Sequence, residues 1–276
     1  MFDGKKYADV CIDAVNRIYQ RELKNRGNAK EAEKATKAKL HQMTGAFMTV
    51  EEMKRARECL ARYLEGDVSA LTDALKTHAS TRERLRDMDA LYDRVFSATG
   101  APKAIKDLAC GINPLYLGAK GFRVRGYDVG GGQVRIVNEW ARALSWDVQA
   151  DVCDLAAGMP EGDADLVLMM KLLPVLEAQE KGAGARLLAQ TQGFALVTFP
   201  TRTLGGRSVG MERQYSHWME NNLPNGMEIL DRYAVTGELC YVVKGGKEGA
   251  HDGGTLGGRD ADRQSERPDA KDAGGA

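Results

Sequence analysis

The chain has 276 residues, of which 43% are hydrophobic and 28% charged, and its formal net charge is zero. This composition supports one large folded domain, or a core domain with a smaller accessory one. No stretch approaches the roughly 20 apolar residues that a membrane helix needs, and residues 1–24 lack the apolar segment of a secretory signal.

Residues 1–100 have the spacing of helices. An apolar stripe from Tyr7 to Tyr19 predicts a first helix, whose polar face carries Arg17, and residues 28–42 predict a second, basic helix. Thr49 with Glu52, and Ser80 with Glu83, have the form of capping boxes and predict two further helix starts.

Charge is uneven along the chain. Residues 1–64 hold 14 Lys and Arg against 9 Asp and Glu, a difference of +5. A basic segment of this kind is typical of a surface that binds phosphate groups. The alternative is a solvated helix face without a partner.

After Gly100 and Pro102, short apolar runs alternate with helical segments, which is typical of parallel strands joined by crossover helices. The predicted strands are 104–109, 123–127, 147–150, 164–170 and 194–199, with helices at 133–145 and 173–191. Residues 227–235 and 239–244 predict a final antiparallel hairpin. Residues 245–276 include nine glycines and one large aliphatic residue, so we expect a disordered tail.

The first predicted strand ends in a turn that contains Gly111, and the next ends at Asp128. A glycine there lets the backbone approach a ligand, and an acidic residue about twenty positions later can accept hydrogen bonds from ribose hydroxyls. The G-x-G-x-x-G fingerprint is absent and Pro114 lacks an N–H group, so a nucleoside without phosphates fits better than a dinucleotide. This favours S-adenosylmethionine, although a plain strand-to-loop turn remains the alternative.

Asp154 follows the third predicted strand and is a candidate acceptor for the adenine amino group. Alternatively, Asp151 or Asp154 only begins a loop. The five cysteines are scattered without a C-x-x-C pair, and the four histidines do not cluster with them. We therefore expect a reducing, cytoplasmic environment and no metal site.

Five segments together resemble one family, the aminoglycoside-resistance 16S rRNA (guanine(1405)-N(7))-methyltransferases. The segments are Lys39-Leu-His-Gln-Met-Thr-Gly-Ala-Phe47, His78-Ala-Ser-Thr-Arg-Glu-Arg84, Asp107-Leu-Ala-Cys-Gly-Ile-Asn-Pro114, Lys171-Leu-Leu-Pro174 with Gln179, and residues 199–211 with Tyr215. The resemblance covers residues 1–244. It implies a helical RNA-docking domain at 1–100 and a Rossmann-like class I S-adenosylmethionine-dependent methyltransferase domain, of the α/β class, at 101–244, followed by the tail.

The resemblance also implies a set of cofactor contacts. Arg84 would bind the methionyl carboxylate, and Asp128 would bind the ribose. The full implied set is Phe47, His78, Ala79, Ser80, Arg84, Ala109, Gly111, Asp128, Asp154, Leu155, Met170 and Gln179. Two alternatives stay open at this stage: Arg84 forms a surface ion pair with Glu83 or Asp87, and His78 is a buried histidine satisfied by backbone.

On the RNA side, the resemblance implies that Arg202 and Arg207 bind phosphates and that Met211 packs against a displaced base. A flexible glycine-rich loop is the alternative. The candidate docking residues nearer the N-terminus are Lys30, Lys34, Lys37, Lys39, Lys54, Arg55 and Arg57. The residue before the matching glutamine is often arginine in the family but is Ala178 here, which puts one RNA contact in doubt.

Guanine N7 has a lone pair and no proton, so we expect direct attack on the methyl group, with no catalytic general base and no role for Cys110 as a nucleophile. The expected partner is helix 44 of 16S rRNA in the 30S subunit, with no membrane, and we expect a monomer. The competing hypotheses are a methyltransferase for a small molecule, with the helical domain as a lid, and a non-catalytic RNA-binding module on the same fold.

Overall fold

The structure, a computed structural model, describes residues 7–45, 48–201, 210–235 and 237–246. Phe47, Arg202, Arg207 and all but two residues of the predicted tail lie outside these ranges. Among the described residues, no helix is both long and apolar enough to cross a lipid bilayer.

A seven-stranded sheet forms the centre of the fold, with strand order β3-β2-β1-β4-β5-β7-β6. Strands β1 to β5 are parallel, β7 runs antiparallel to β5, and β6 pairs with β7 as the predicted hairpin. The strands are β1 (Ala104–Leu108), β2 (Arg123–Asp128), β3 (Val148–Val152), β4 (Leu166–Met170), β5 (Phe194–Pro200), β6 (Glu228–Val235) and β7 (Glu238–Lys244). The α/β expectation and all seven predicted strands are confirmed.

Eleven α-helices are present in the described residues. They are α1 (Ile12–Arg26), α2 (Ala29–Leu40), α3 (Val50–Leu64), α4 (Ser69–Leu75), α5 (Ala79–Arg84), α6 (Met88–Thr99), α7 (Asn113–Ala119), α8 (Gly131–Ala143), α9 (Leu173–Gln179), α10 (Ala183–Ala189) and α11 (Met211–Asn222). A π-helical turn, His41–Gly45, extends α2, and a 3-10 turn, Leu85–Asp87, joins α5 to α6.

Three local predictions need correction. The first helix begins at Ile12, so Tyr7 at the start of the predicted stripe lies before it. The expected capping box at Ser80 and Glu83 is absent, because α5 begins one residue before Ser80 and its N-cap is His78, whose ring accepts from the Thr81 amide. The helix expected over 173–191 is two helices, since Gly182 takes a left-handed conformation with φ 84° between α9 and α10. By contrast, the Thr49–Glu52 capping box is confirmed, with both reciprocal hydrogen bonds present.

The sheet buries both faces, as parallel sheets do. Along β4, Leu166, Leu168 and Met170 face the helices α3, α4, α6, α7 and α8, whereas Val167 and Met169 face α9 to α11. This alternation follows from the two-residue period of a strand.

The helices of the first hundred residues belong to different hydrophobic clusters. Residues of α3, α4 and α6, such as Ala56 and Leu91, share one core with the sheet. Val15, Ile18 and Leu40 of α1 and α2 form a separate, smaller cluster with Tyr7. The pair α1–α2 is therefore a small unit of its own, and contacts at its edges decide where it sits.

Candidate functional site

A cleft opens at the carboxyl edge of the parallel strands. This is where open α/β sheets bind ligands. The residues that line it are Met43, Thr44, His78, Ser80, Ala109, Asp128, Val129, Gln133, Cys153, Asp154, Leu155, Met170, Lys171, Leu172, Val175, Leu176 and Gln179.

The cleft brings together eight of the twelve predicted cofactor residues: His78, Ser80, Ala109, Asp128, Asp154, Leu155, Met170 and Gln179. Gly111 lies beside it, since its amide donates to the Asp128 carboxylate at 2.9 Å. Ala79 and Arg84 do not line the cleft, and Phe47 lies outside the described residues.

Two residues with side chains hold a left-handed backbone at this edge. Ala109, after β1, has φ 55°, and Lys171, after β4, has φ 57°. Such conformations cost about 1–3 kcal/mol each and persist where the surroundings enforce them, often at ligand sites. Here they turn the chain sharply at the ends of two neighbouring strands, which opens the floor of the cleft.

Asp128 is held by backbone donors. Its Oδ2 accepts from the Gly111 amide and its Oδ1 from the Gly130 amide at 2.8 Å. Burial raises the pKa of Asp128, and these amide hydrogen bonds work in the opposite direction. The carboxylate is therefore fixed between two turns with its remaining lone pairs available to hydroxyl donors.

His78 joins α5 to the glycine turn. Its Nδ1 lies 3.0 Å from the Thr81 hydroxyl and accepts from the Thr81 amide as the N-cap of α5. Burial first, and then the charges of Arg84, Lys171 and Arg82, lower the pKa of His78 to about 3. The ring is thus neutral at neutral pH, and its position is both structural and part of the cleft wall.

Arg84 is bound inside the protein rather than on a helix surface. Its Nε and Nη2 donate to Oε1 of Glu238 at 3.1 and 2.9 Å, with side chains 3% and 1% exposed. Its Nη2 also contacts the Ser80 hydroxyl at 3.3 Å. The alternative of a surface pair with Glu83 or Asp87 is wrong, because Arg84 is buried and pairs with β7. Its contact with a methionyl carboxylate stays a prediction.

Lys171 is a cleft residue that was named only as part of a family-like segment and was not predicted as a site residue. Its Nζ lies 2.6 Å from Glu83 and 3.6 Å from Glu238. Burial alone would raise the pKa of Glu238, but Arg84 and Lys171 together with the Thr198 hydroxyl keep it below its usual value. A cluster of two cations and a buried carboxylate therefore lies beside the floor of the cleft. Lys171 directly follows β4, and this position at the end of a parallel strand is the signal that could have identified it.

Asp154 is also paired, with a residue far away in sequence. Arg17 of α1 contacts both oxygens of Asp154 and the side chain of Gln179, so α1 lies across the edge of the cleft. Arg17 was assigned only to the polar face of the first helix, and no local pattern links it to residue 154. Met43 and Thr44 of the π-helical turn reach the cleft from the same small unit.

The predicted basic residues lie on α2 and α3. Lys30, Lys34 and Lys37 are exposed on α2, and Lys54, Arg55 and Arg57 on α3. Several of them have acidic neighbours: Lys37 pairs with Glu33, Lys39 with Glu22, and Arg57 with Glu139. The Lys37–Glu33 and Arg57–Glu139 pairs are largely exposed and contribute at most about 1 kcal/mol each, so phosphates can displace them, whereas the Glu22 side chain that pairs with Lys39 is only 4% exposed. Met211 is the half-buried first residue of α11.

Comparison with known proteins places these features in one group. A profile of the ribosomal RNA methyltransferase (FmrO) family matches residues 3–242. A 16S rRNA (guanine(1405)-N(7))-methyltransferase of Serratia marcescens is 39% identical over 243 residues, which cover 87% of this chain and 94% of that protein. The protein of the same name from Frankia casuarinae is 35% identical over 259 residues, covering 87% and 90%.

Two solved structures of 16S rRNA methyltransferases are similar to this chain in fold and sequence. The 16S rRNA methyltransferase RmtF, crystallised with S-adenosyl-L-homocysteine, has a TM-score of 0.80 and 49% identity, covering 86% of this chain and 92% of that one. The 16S rRNA methylase RmtB has a TM-score of 0.78 and 35% identity, covering 88% and 94%. The fold is thus the Rossmann-like class I methyltransferase fold.

Proposed function

The chain belongs to the ribosomal RNA methyltransferase (FmrO) family, and on that premise we propose that it transfers a methyl group from S-adenosylmethionine to N7 of guanine 1405 in 16S rRNA. The observation that carries the proposal is the cleft at the sheet edge, where Asp128 and Asp154 stand at the ends of neighbouring strands β2 and β3. Relatives that share 39% and 35% of this sequence bear the name of this activity.

The residues of the cleft fit S-adenosylmethionine. Asp128 offers a fixed carboxylate to the two ribose hydroxyls, and Asp154 offers an acceptor to the adenine amino group. Leu155, Val175 and Leu176 supply apolar walls for the purine ring. Phosphate-binding features are not needed, since the cofactor carries no phosphate.

When bound, the cofactor supplies an electrophilic methyl group on a sulfonium centre. The protein has to hold the guanine and this methyl group in line, because N7 needs no proton removed. His78 is neutral and engaged as an N-cap, and burial raises the pKa of the Cys110 thiol well above its usual value. Neither group is placed to act as a base or nucleophile, which supports catalysis by orientation alone.

We assign the RNA contacts to the basic residues of α2 and α3, namely Lys30, Lys34, Lys37, Lys39, Lys54, Arg55 and Arg57, with Arg202, Arg207 and Met211 near the target base. Residues 1–100 would then be the docking domain and 101–244 the methyltransferase domain. The N7 atom faces the deep major groove of A-form RNA, so the target nucleotide must be displaced to reach the cleft.

The proposed substrate is helix 44 in the assembled 30S subunit, bound by a monomer in the cytoplasm. Methylation there would confer resistance to 4,6-disubstituted aminoglycosides such as gentamicin, kanamycin and amikacin, but not to apramycin. Producer self-protection and acquired resistance predict the same resistance profile.

The experiment is methyl transfer from labelled S-adenosylmethionine to purified 30S subunits, free 16S rRNA and small-molecule extracts. Label in 30S alone supports the proposal. Label in a small molecule, or binding to 30S without label, overturns it in favour of a small-molecule enzyme or a binding module. Asp128→Asn is the matched loss-of-cofactor control, and it should give no label in any fraction.

A further inference from the structure

Arg17 of α1 joins two walls of the cleft. Its Nε donates to Oδ2 of Asp154 at 2.6 Å, and its Nη2 donates to Oδ1 of Asp154 at 2.8 Å and to Oε1 of Gln179 at 2.9 Å. Asp154 follows β3, whereas Gln179 ends α9, so the two acceptors belong to different sides of the sheet edge. One guanidinium therefore ties the adenine side of the cleft to the N-terminal helix.

The position of α1 is fixed by further contacts with the same edge. The Cys11 amide donates to the Val129 carbonyl at 2.8 Å, and the Gly131 amide donates to the Asp9 carbonyl at 2.6 Å. One turn after Arg17, the Arg21 guanidinium donates to the Gln179 carbonyl. These contacts fix the start and the middle of α1 against the sheet edge. They therefore fix the part of the helix from which Arg17 reaches the cleft.

Arg17 also supplies most of the hydrogen bonds of the Asp154 carboxylate. The Asp154 side chain is 6% exposed, and a carboxylate buried to that extent needs a partner and hydrogen bonds. A carboxylate has about four lone-pair positions. Oδ1 accepts from Arg17 and from the Ala156 amide at 3.2 Å, and Oδ2 accepts from Arg17. One position on Oδ2 is left for an incoming donor.

We propose that Arg17 is a positioning residue for the cofactor: it fixes the Asp154 carboxylate so that the remaining position on Oδ2 meets the exocyclic amine of adenine. This inference rests on the proposed function, since it assumes that the cleft binds an adenosyl group. It assigns part of cofactor recognition to the helical N-terminal segment. Without Arg17, the carboxylate is free to rotate and to take up water, and it loses its orientation toward the purine.

Two ligands separate a positioning role from a merely structural one. S-adenosyl-L-homocysteine has the adenine amine, and S-inosyl-L-homocysteine has a carbonyl oxygen in its place. Both are titrated by calorimetry into the wild type, Arg17→Ala, Arg17→Lys and Arg26→Ala. Arg26 is the matched control, because it lies on the same helix and pairs with Glu22 within that helix.

We expect the dissociation constant for S-adenosyl-L-homocysteine to be about tenfold larger in Arg17→Ala than in the wild type. A change of this size corresponds to the loss of one charge-assisted hydrogen bond. Binding of the inosyl ligand should barely change, so the variant loses its preference for the amine. Arg17→Lys keeps the charge without the fork and should fall between, and Arg26→Ala should match the wild type.

An equal loss for both ligands, or no loss for either, overturns the inference. Thermal unfolding of each variant without ligand verifies that it is folded, and Arg17→Lys carries the test if Arg17→Ala does not fold. Failure of the wild type to bind S-adenosyl-L-homocysteine is a different result, because it contradicts the proposed function itself.

Discussion

The ring of His78 covers Gly111 so closely that a Cβ atom on Gly111 would lie 2.5 Å from the His78 Cε1 atom. Gly111 also has φ 51°, a left-handed conformation that residues with side chains rarely adopt. The glycine turn after β1 and the N-cap of α5 are thus packed as one unit beside Asp128, which accepts from the Gly111 amide.

The first prediction concerns this contact. Gly111→Ala should lower the free energy of unfolding by about 2–5 kcal/mol, the sum of about 1–2 kcal/mol for the left-handed backbone and about 1–3 kcal/mol for the clash. It should also abolish tight binding of S-adenosyl-L-homocysteine. Urea denaturation and calorimetry measure the two effects.

Gly121→Ala is the control, since Gly121 has φ 84° but open space around it. It should lose only about 1–2 kcal/mol and keep ligand binding. If Gly111→Ala and Gly121→Ala lost the same free energy of unfolding, His78 would have moved aside, which would contradict its close packing on Gly111.

The second prediction concerns the buried pair of Arg84 and Glu238. Glu238→Gln leaves two cations beside a neutral amide, and removal of one partner from a buried pair costs about 3–5 kcal/mol of stability. Asp231→Asn is the control, because Asp231 forms a two-point ion pair with Arg94 at the surface. Surface pairs contribute at most about 1 kcal/mol, so Asp231→Asn should be much less destabilised than Glu238→Gln in urea denaturation. A similar loss of stability in both variants would contradict the buried pairing of Arg84 with Glu238.

The third prediction is a pair of opposite pH dependences. Burial raises the pKa of Asp107 from its usual 3.8 to about 7, so the folded protein keeps a proton that the unfolded chain releases. This contribution to stability is present below pH 3.8 and is lost as the pH rises toward 7. The lowered pKa of His78, about 3 against 6.5, gives a contribution that is present above pH 6.5 and is lost as the pH falls.

The free energy of unfolding of Asp107→Asn, measured relative to the wild type, should therefore be higher at pH 8 than at pH 5. For His78→Asn, the same difference from the wild type should be higher at pH 5 than at pH 8. Each difference can reach about 1.4 kcal/mol per pH unit. Urea denaturation of both variants and the wild type at the two pH values is the measurement. Differences of the same sign in the two variants would contradict the burial of one of these groups.

The sequence predicted most of the fold because its signals are local. Alternation of short apolar runs with helical segments identified all seven strands within about three residues, and the capping box at Thr49 identified the start of α3. Errors arose where a local pattern has two solutions. Ser80 and Glu83 fit a capping box, but His78 caps the helix because its ring also packs on Gly111.

The candidate site divides in the same way. Asp128 and Asp154 follow predictable strand ends, so their place at the cleft could be predicted. Arg17 and Glu238 reach the same region from the two ends of the described chain, and nothing in their local sequence indicates Asp154 or Arg84 as partners. Such contacts depend on how α1 and β7 pack, which no spacing rule determines.

The fourth prediction concerns RNA docking. Lys34 is exposed on α2, and Lys34→Glu should weaken binding to 30S subunits and reduce the dependence of binding on salt concentration, because fewer counterions are released. Lys103→Glu is the control, since Lys103 precedes β1 and lies at the opposite edge of the sheet. An equal effect of both variants would point to general charge rather than to a surface on α2.

We propose above that the cleft serves methyl transfer to N7 of one guanine. The most direct test is to incubate 30S subunits with the protein and S-adenosylmethionine, reduce and cleave the rRNA at N7-methylguanine, and locate the break by primer extension. We expect one break at position 1405 that is absent from subunits incubated without the protein, and no such break with Asp128→Asn. A new break at another guanine, or no new break with the wild type, would contradict the proposed function.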